Sequence, residues 1–214
     1  GWTTSAPSMR FKALVFDFDG TLVDSAPAKR QAFFDIFPDD EGHRAAVEDV
    51  LRDDPDGSRH RVIPRMLQTM QVRGLPLPAG SEAADYVAAY AAAALAAVRE
   101  CPELPGAGSL LRQLNAAGAE VYVCSNTPHE ALETLLRERG WDALVTACFG
   151  HPHVKAEAVA AILARRGLAA RELGVVGDGV SDRAAAAANG CPFFPIAAAA
   201  DLMRHARTWE LRVA

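Results

Sequence analysis

The segment Phe16-Asp17-Phe18-Asp19-Gly20-Thr21 follows a mostly apolar run, residues 11–16, which predicts a buried β-strand. Asp17 and Asp19 are two positions apart, so their carboxylates lie on the same side of an extended chain. Gly20 then permits a sharp turn. Two like charges this close repel each other, and a hard dication such as Mg²⁺, which prefers oxygen ligands, relieves that repulsion. A shared proton, or an Asp-Gly turn with two solvated acids, is the alternative at this point.

The composition is that of a globular protein. The chain has 214 residues, of which 50% are hydrophobic and 23% charged, enough for one domain or a domain with an insert. The net charge of −5 argues against nucleic acid or an anionic membrane as a partner. The 4 cysteines are scattered and form no CxxC pair, which argues against a zinc site and favours a reducing, cytoplasmic location.

The sequence predicts neither a membrane span nor an N-terminal signal peptide. No apolar run is long enough to cross a bilayer. Residues 1–8 lack the pattern of a signal peptide, and Met9 is a candidate natural start with an expression remnant before it. We expect a monomer or a homodimer, since the sequence does not distinguish them.

From Gly106 onward, a helical pattern that ends at a glycine and is followed by an apolar strand occurs repeatedly. The segment Thr127-Pro128-His129-Glu130 matches a capping box that would start one of these helices. The alternation predicts a parallel sheet with helices on both faces. The predicted helices are 106–117, 128–139, 155–166 and 181–189, and the strands after them are 120–124, 143–149, 173–176 and 193–196.

The interval 25–104 does not share this alternation and contains no convincing strand. It predicts an all-helical cap inserted into a Rossmann-like α/β core made of 9–24 and 105–214. The insert begins at the carboxyl end of the first strand, where open α/β sheets bind ligands, so a lid over the acidic pair is expected. A helical subdomain that only packs is the alternative. The predicted cap helices are 27–37, 42–51, 63–73 and 81–99.

Further polar residues fall at the ends of the later predicted strands. Ser125 and Asn126 offer a hydroxyl and an amide to phosphate oxygens beside a helix start. Lys155 opens a helix, where the helix dipole disfavours a cation unless an anion lies nearby. Asp178 and Asp182 follow the next apolar strand. Because the carboxyl ends of parallel strands meet at one edge, these groups are expected to form a single metal and phosphate site.

The ordered set of these motifs resembles the haloacid dehalogenase (HAD) superfamily. The resemblance rests on Asp-x-Asp-Gly-Thr at 17–21, a strand followed by Ser125, then Lys155, and Gly-Asp-x-x-x-Asp at 177–182. The continuation at 22–27 resembles the phosphoglycolate-phosphatase-like branch, which has a helical cap after the first strand.

The resemblance implies a role for each matching residue. Asp17 would be the nucleophile, and Asp19 the acid for the leaving oxygen and the base for water. Ser125 and Lys155 would hold the phosphoryl oxygens, with Gly20, Thr21 and Asn126 as further phosphate or substrate contacts. Mg²⁺ would be bound by Asp17, the backbone carbonyl of Asp19 and Asp178, with Asp182 supporting it. A small-molecule phosphate ester is the implied partner.

The residue at position 19 separates the chemistries of this superfamily. Dehalogenases lack an acid there because a halide leaves without a proton, so Asp19 favours phosphate transfer. Phosphonate-cleaving relatives also lack the acid and use a cap lysine, a role that nothing assigns to Lys29. His151 and His153, in the loop before Lys155, are either substrate contacts or ordinary loop residues.

The sequence leaves the substrate open. In the cap, Arg59, His60, Arg61 and Arg65 either meet an anionic substrate or form a solvated helix face. The prediction is a Mg²⁺-dependent phosphatase. The alternatives are a phosphomutase of the β-phosphoglucomutase type, a phospho-aspartate receiver-like signalling module, and a homologue that only binds ligand.

Overall fold

A computed structural model describes residues 9–211 of the chain. Contacts divide the chain into two compact units, one running up to Asp24 and resuming at Pro102, the other spanning Ser25–Cys101. The inserted unit thus ends at 101, slightly before the predicted 104, and the tail 1–8 lies outside the described residues. Within the described part, none of the helices is long and apolar enough to cross a membrane.

The first unit is built on a sheet of parallel strands. The strands are β1 (Ala13–Phe16), β2 (Glu120–Pro128), β3 (Ala147–His151), β4 (Leu173–Gly177) and β5 (Phe193–Pro195), in the order β3-β2-β1-β4-β5. This confirms the predicted Rossmann-like sheet. The chain builds outward from β1 through β2 to β3 and then crosses to β4 on the other side of β1. The carboxyl end of β1 therefore lies where the strand order reverses, which is where such sheets bind ligands.

The second unit contains helices only among its elements, as predicted for the insert. Its interior includes stacked aromatic pairs: Phe33 on Tyr90 at 4.0 Å and Phe37 on Tyr86 at 5.1 Å between ring centroids. These pairs connect the first helix of the unit and the turn that follows it to the last helix of the unit. The helices are α1 (Ala26–Asp35), α2 (Glu41–Asp53), α3 (Arg59–Val72) and α4 (Ala83–Glu100).

Helices cover both faces of the sheet. Ala13 and Val15 of β1 share a buried cluster with residues of α7 (Lys155–Arg166) and α8 (Val180–Asn189). Phe16 points to the opposite face, where its ring centroid is 6.2 Å from that of Trp209, just after α9 (Asp201–Ala206). Continuous apolar strands are therefore buried on both sides. The helices of this unit are α5 (Ala107–Ala116), α6 (His129–Glu138), α7 (Lys155–Arg166), α8 (Val180–Asn189) and α9 (Asp201–Ala206).

Two local predictions about strand and helix limits are wrong. The capping box at 127–130 does not form, because β2 continues to Pro128 and α6 begins at His129 with no side-chain cap hydrogen bond. The strand predicted at 143–149 begins only at Ala147, since Asp142–Leu144 form a 3-10 turn after the buried Trp141. In both places a tertiary contact outweighs the local pattern.

Candidate active site

The backbone fixes the orientation of Asp17 at the end of β1. Its N–H donates to the Val176 carbonyl at 2.9 Å, which extends the pairing with β4. Its carboxylate accepts from the Phe18 N–H at 2.7 Å through Oδ1. The Phe18 side chain is buried, with its ring edge-on to Trp141 at 6.4 Å between centroids. Asp17 is thus held rigidly at the carboxyl edge of the sheet.

A tight loop after Asp17 brings β1 against the end of β4. The loop passes through Gly20, whose φ of +72° favours glycine and whose N–H donates to Val23 at 2.8 Å. A Cβ at position 20 would overlap the Asp178 carboxylate. Thr21 is fully buried, its N–H bonds Phe18 at 3.3 Å, and its hydroxyl has no hydrogen-bond partner among the described residues. Glycine at 20 therefore allows the close approach of the acidic residues.

Lys155 supplies the buried positive charge of the site. It is the first residue of α7 and is 7% exposed. Its Nζ lies 2.7 Å from Asp182 Oδ1 and 3.1 Å from Asp17 Oδ2. Burial alone lowers the pKa of Lys155, but the two carboxylates outweigh burial and raise that pKa above its usual value. The lysine is therefore charged at neutral pH.

Asp17, Asp178 and Asp182 form one acidic cluster, with ligand oxygens within 4.8 Å of one another. Burial, reinforced by the charge of Asp17, raises the pKa of Asp178 to about 7 and that of Asp182 to about 8. One lysine cannot neutralise three carboxylates. All of these possible ligands are carboxylate oxygens, and the cluster lacks at least one positive charge. Such a set of ligands fits a hard divalent cation such as Mg²⁺.

Asp182 is anchored more firmly than Asp178. Its Oδ1 accepts from Lys155, and its Oδ2 accepts from the Gly179 N–H at 3.1 Å. A Cβ on Gly177 would overlap the Asp182 side chain, so glycine at the end of β4 leaves room for it. Asp178 is the more exposed member of the cluster. These positions leave Asp178 and Asp17 better placed than Asp182 to contact a ligand.

The raised pKa values predict that stability falls as the pH rises in metal-free protein. The unfolded chain releases these aspartate protons near pH 4, whereas the folded protein keeps them up to about pH 7 to 8. Over that interval the folded state binds more protons, so its stability declines with pH. We expect the Tm in EDTA to drop by a few degrees between about pH 5.5 and about pH 8.5, mainly through the buried Asp182, because solvent screens the exposed Asp178 and 1 kcal/mol shifts Tm by about 2 to 4 °C.

Thermal unfolding at several pH values tests this expectation. The matched variant is Asp182→Asn, which cannot ionise at this position and should show a shallower decline than the wild type. An equal slope for both proteins would contradict the assignment of the decline to the cluster.

Two hydroxyl groups from the end of β2 meet Asp19. Thr127 Oγ1 donates to Asp19 Oδ2 at 3.0 Å, and Ser125 Oγ lies 3.5 Å from the same oxygen. Ser125 and Thr127 are buried, whereas Asn126 between them is exposed. The sequence did not point to Thr127 as a site residue, because Thr127 was assigned to a predicted helix-capping box. The available signal was its position two residues after Ser125, on the same side of an extended chain.

The other predicted residues belong to α3 of the helical unit and to the loop before α7. Arg59 begins α3 in the helical unit, where its guanidinium sits over the Tyr90 ring at 4.9 Å from the centroid. Arg61 donates to Asp54, and Arg65 donates to Asp53. Neighbouring acids therefore neutralise much of this basic group at the helix surface. In the loop before α7, His153 Nδ1 is 2.8 Å from the Gly150 carbonyl, and His151 is exposed.

Comparisons with known proteins agree with this architecture. The family model of haloacid dehalogenase-like hydrolases matches residues 11–190. Among curated protein sequences, none matches the chain. A predicted phosphoglycolate phosphatase from Haemophilus somnus 129PT superposes with a TM-score of 0.69 at 22% identity, covering 87% of this chain and 85% of that one.

Two further solved structures extend the comparison. A β-phosphoglucomutase candidate from Thermotoga maritima gives a TM-score of 0.66 at 17% identity, with 86% of this chain and 85% of that chain covered. YfnB, a candidate HAD hydrolase from Bacillus subtilis described as bound to magnesium, gives 0.64 at 16% identity, with 86% of each chain covered. At these identities the likeness establishes the fold.

Proposed function

Because the chain belongs to the haloacid dehalogenase-like hydrolase family, we propose that it is a Mg²⁺-dependent phosphatase that hydrolyses a small-molecule phosphate monoester. The observation that supports this most is the arrangement around Asp17. A carboxylate fixed at the carboxyl end of β1 lies 3.1 Å from a buried lysine, and the next acid along the chain, Asp19, is held by hydroxyl groups. These three side chains match the nucleophile, the cation and the acid–base group that such a reaction requires.

The first step transfers the phosphoryl group to the protein. A carboxylate oxygen of Asp17 attacks phosphorus, and the bond from phosphorus to the ester oxygen breaks. Asp19 gives its proton to that oxygen, so the alcohol leaves neutral. Ser125 and Lys155 hold the phosphoryl oxygens, and the charge of Lys155 stabilises the negative charge on them.

The second step regenerates the protein. Asp19, now a carboxylate, takes a proton from a water molecule whose oxygen attacks the phosphorus of the aspartyl-phosphate. The bond from phosphorus to the Asp17 oxygen breaks, and inorganic phosphate is released. One residue thus serves as acid and then as base, and each covalent change is balanced by one proton.

Asp17, Asp178 and the backbone carbonyl of Asp19 would hold Mg²⁺, with Asp182 supporting it, and the bound ion would neutralise charge between the carboxylate and the phosphoryl group. The acidic cluster and the elevated pKa values of Asp178 and Asp182 support this assignment. Gly20 and Thr21 contribute through the tight loop that brings these groups together.

Removal of the metal is the direct test. With the wild-type protein and a broad panel of phosphate monoesters, we expect phosphate release in Mg²⁺ and a loss of at least about 10²-fold in EDTA, because a metal ion contributes several kcal/mol of charge stabilisation. Excess Mg²⁺ should restore the rate. Release that is insensitive to EDTA would contradict the metal assignment, and no release from any ester would contradict the phosphatase.

A phosphomutase is the second candidate, because the fold is shared with a β-phosphoglucomutase candidate. It would require the aspartyl-phosphate to persist until it rephosphorylates a bound intermediate. Product analysis with sugar phosphates distinguishes the two, since a mutase yields an isomer and a phosphatase yields free phosphate. The receiver-like alternative is disfavoured by the helical insert and by the family to which the chain belongs.

The setting proposed for this activity is the cytoplasm. The 4 cysteines are scattered along the sequence and form no CxxC pair, a pattern that favours a reducing compartment.

A further inference from the structure

One oxygen of Asp19 faces two hydroxyl groups at unequal distances. Thr127 Oγ1 is 3.0 Å from Asp19 Oδ2, and Ser125 Oγ is 3.5 Å from it. Hydrogen bonds between oxygens are most favourable at about 2.7 to 2.8 Å and weaken with distance. Thr127 therefore makes the stronger bond to Asp19, and Ser125 stands at the outer limit of one.

The proton count of Ser125 limits what it can do. A serine hydroxyl has one proton to donate and two lone pairs that accept. The Thr127 N–H already donates to Ser125 Oγ at 3.1 Å and so occupies one of its lone pairs. What can still vary is the acceptor to which the hydroxyl proton of Ser125 points. That proton reaches either Asp19 or a phosphoryl oxygen, and it cannot serve both at the same moment.

The local shape of β2 places both hydroxyls on this side of the strand. Pairing with β3 joins Cys124 to Phe149 and then Pro128 to His151, so β2 advances four residues while β3 advances two. An irregularity of this kind redirects side chains and is common beside active sites. Ser125 and Thr127 are 2% and 6% exposed. Threonine is also β-branched, so its side chain loses little freedom on being held in one rotamer.

We propose that Thr127 is a positioning residue for Asp19, and that it thereby releases the single proton of Ser125 for the phosphoryl oxygen. The two hydroxyls divide the work: Thr127 fixes the acid–base carboxylate, and Ser125 contacts the substrate. The inference rests on the proposed function, because it assigns Asp19 a proton transfer in ester hydrolysis.

The variant Thr127→Val removes the hydroxyl and keeps the shape and the backbone N–H. Ser125 Oγ, 3.5 Å from Asp19 Oδ2, then no longer competes with Thr127 for that oxygen, so its proton is drawn toward Asp19 and away from the phosphoryl group. We expect kcat/KM for the best alkyl phosphate of the panel to fall by about 10²-fold, at the lower end of what an acid–base group contributes. Thr127→Ser retains a hydroxyl and should stay within about threefold of the wild type.

The choice of ester separates positioning from a general structural effect. An alkyl oxygen needs a proton as it leaves, whereas the phenolate released from p-nitrophenyl phosphate is stable without one. Because kcat/KM reports the steps up to phosphoryl transfer, we expect Thr127→Val to lower it by only about tenfold with p-nitrophenyl phosphate. Inhibition by inorganic phosphate should weaken by a few-fold to about tenfold in the same variant, since Ser125 donates less to the anion.

Thr134→Val is the matched control. Its hydroxyl donates to the carbonyl of Glu130 one turn back in α6 at 3.0 Å, so the same chemical change there should leave kcat/KM for both esters unchanged. Thermal unfolding of each variant shows whether it is folded, and the Ser variant tests the position even if the Val variant is destabilised.

The possible results distinguish a failure of this inference from a failure of the proposed function. Loss with the alkyl ester that exceeds loss with p-nitrophenyl phosphate, with recovery in Thr127→Ser, supports the inference. An unchanged Val variant, equal losses with both esters, or a Ser variant as impaired as the Val variant overturns it while leaving the proposed function intact. A folded wild type that releases phosphate from no ester overturns the proposed function and this inference with it.

Discussion

Replacing Asp17 with asparagine is expected to lower phosphate release by about 10⁴-fold or more. A neutral amide oxygen is a poor nucleophile, so the covalent step is lost, and removal of a nucleophile can cost about 10⁶-fold in an enzyme that forms such intermediates. The amide oxygen can still accept from the Phe18 N–H, which is 2.7 Å from Asp17 Oδ1 in the wild type. The local backbone is therefore preserved, and the loss reports chemistry.

Folding of this variant can be predicted separately from its activity. The charge of Asp17 contributes to the raised pKa values of Asp178 and Asp182, so removing it relieves repulsion inside the cluster. We expect Asp17→Asn in EDTA to have a Tm no lower than that of the wild type at about pH 8. Loss of activity together with a retained Tm would show that the nucleophile, and not the fold, has been removed.

The measurement is phosphate release with Mg²⁺, accompanied by mass analysis of acid-quenched enzyme. The wild type should carry one phosphoryl group on the peptide that contains Asp17, and the variant should carry none. Asp142→Asn, at an exposed position in the same unit, is the matched control and should behave as the wild type. Residual activity above about a tenth of the wild type would rule out Asp17 as the nucleophile.

Much of this site could be predicted because its residues follow strands of one parallel sheet. The end of a buried strand is visible in the sequence as an apolar run that stops, and the carboxyl ends of parallel strands meet at one edge. Asp17 and Asp178 follow such runs directly, while Lys155 opens the helix after another. The helix limits were also visible, because Gly167 and Gly190 end α7 and α8 with φ of +62° and +67°.

The contact between Thr127 and Asp19 was harder to predict than the other contacts of the site, and the reason is physical. The two residues lie 108 positions apart in the chain, so the contact depends on the register of β2 against β1. The local pattern Thr-Pro-His-Glu satisfies a helix-capping rule equally well. Only the irregular pairing between β2 and β3, which carries the strand on to Pro128, decides between them. The shifted pKa values likewise depend on burial, which the sequence does not give for individual carboxylates.

Replacing Lys155 with methionine is expected to lower kcat/KM by about 10²- to 10³-fold. Methionine has a similar length and no charge, so the change removes a preorganised cation from a buried site, where such groups contribute most to stabilising developing charge. The affinity for inorganic phosphate should fall as well. Lys12→Met is the matched control, because Lys12 is 68% exposed in its pair with Glu172 and such pairs contribute at most about 1 kcal/mol.

The same substitution should change how stability depends on pH. Removing one partner of a buried ion pair costs about 3 to 5 kcal/mol when the other charge stays ionised, but Asp182, whose pKa is raised, can escape that cost by taking up a proton. The loss of stability caused by the substitution is therefore small at about pH 5.5. It grows toward about pH 8.5, because the aspartates of the unfolded chain are fully ionised there and protonating the folded protein becomes unfavourable. We expect the Tm difference between wild type and Lys155→Met in EDTA to widen over this range. A constant difference would mean that Lys155 does not neutralise the acidic cluster, which would also remove the physical basis for its place beside the phosphoryl group.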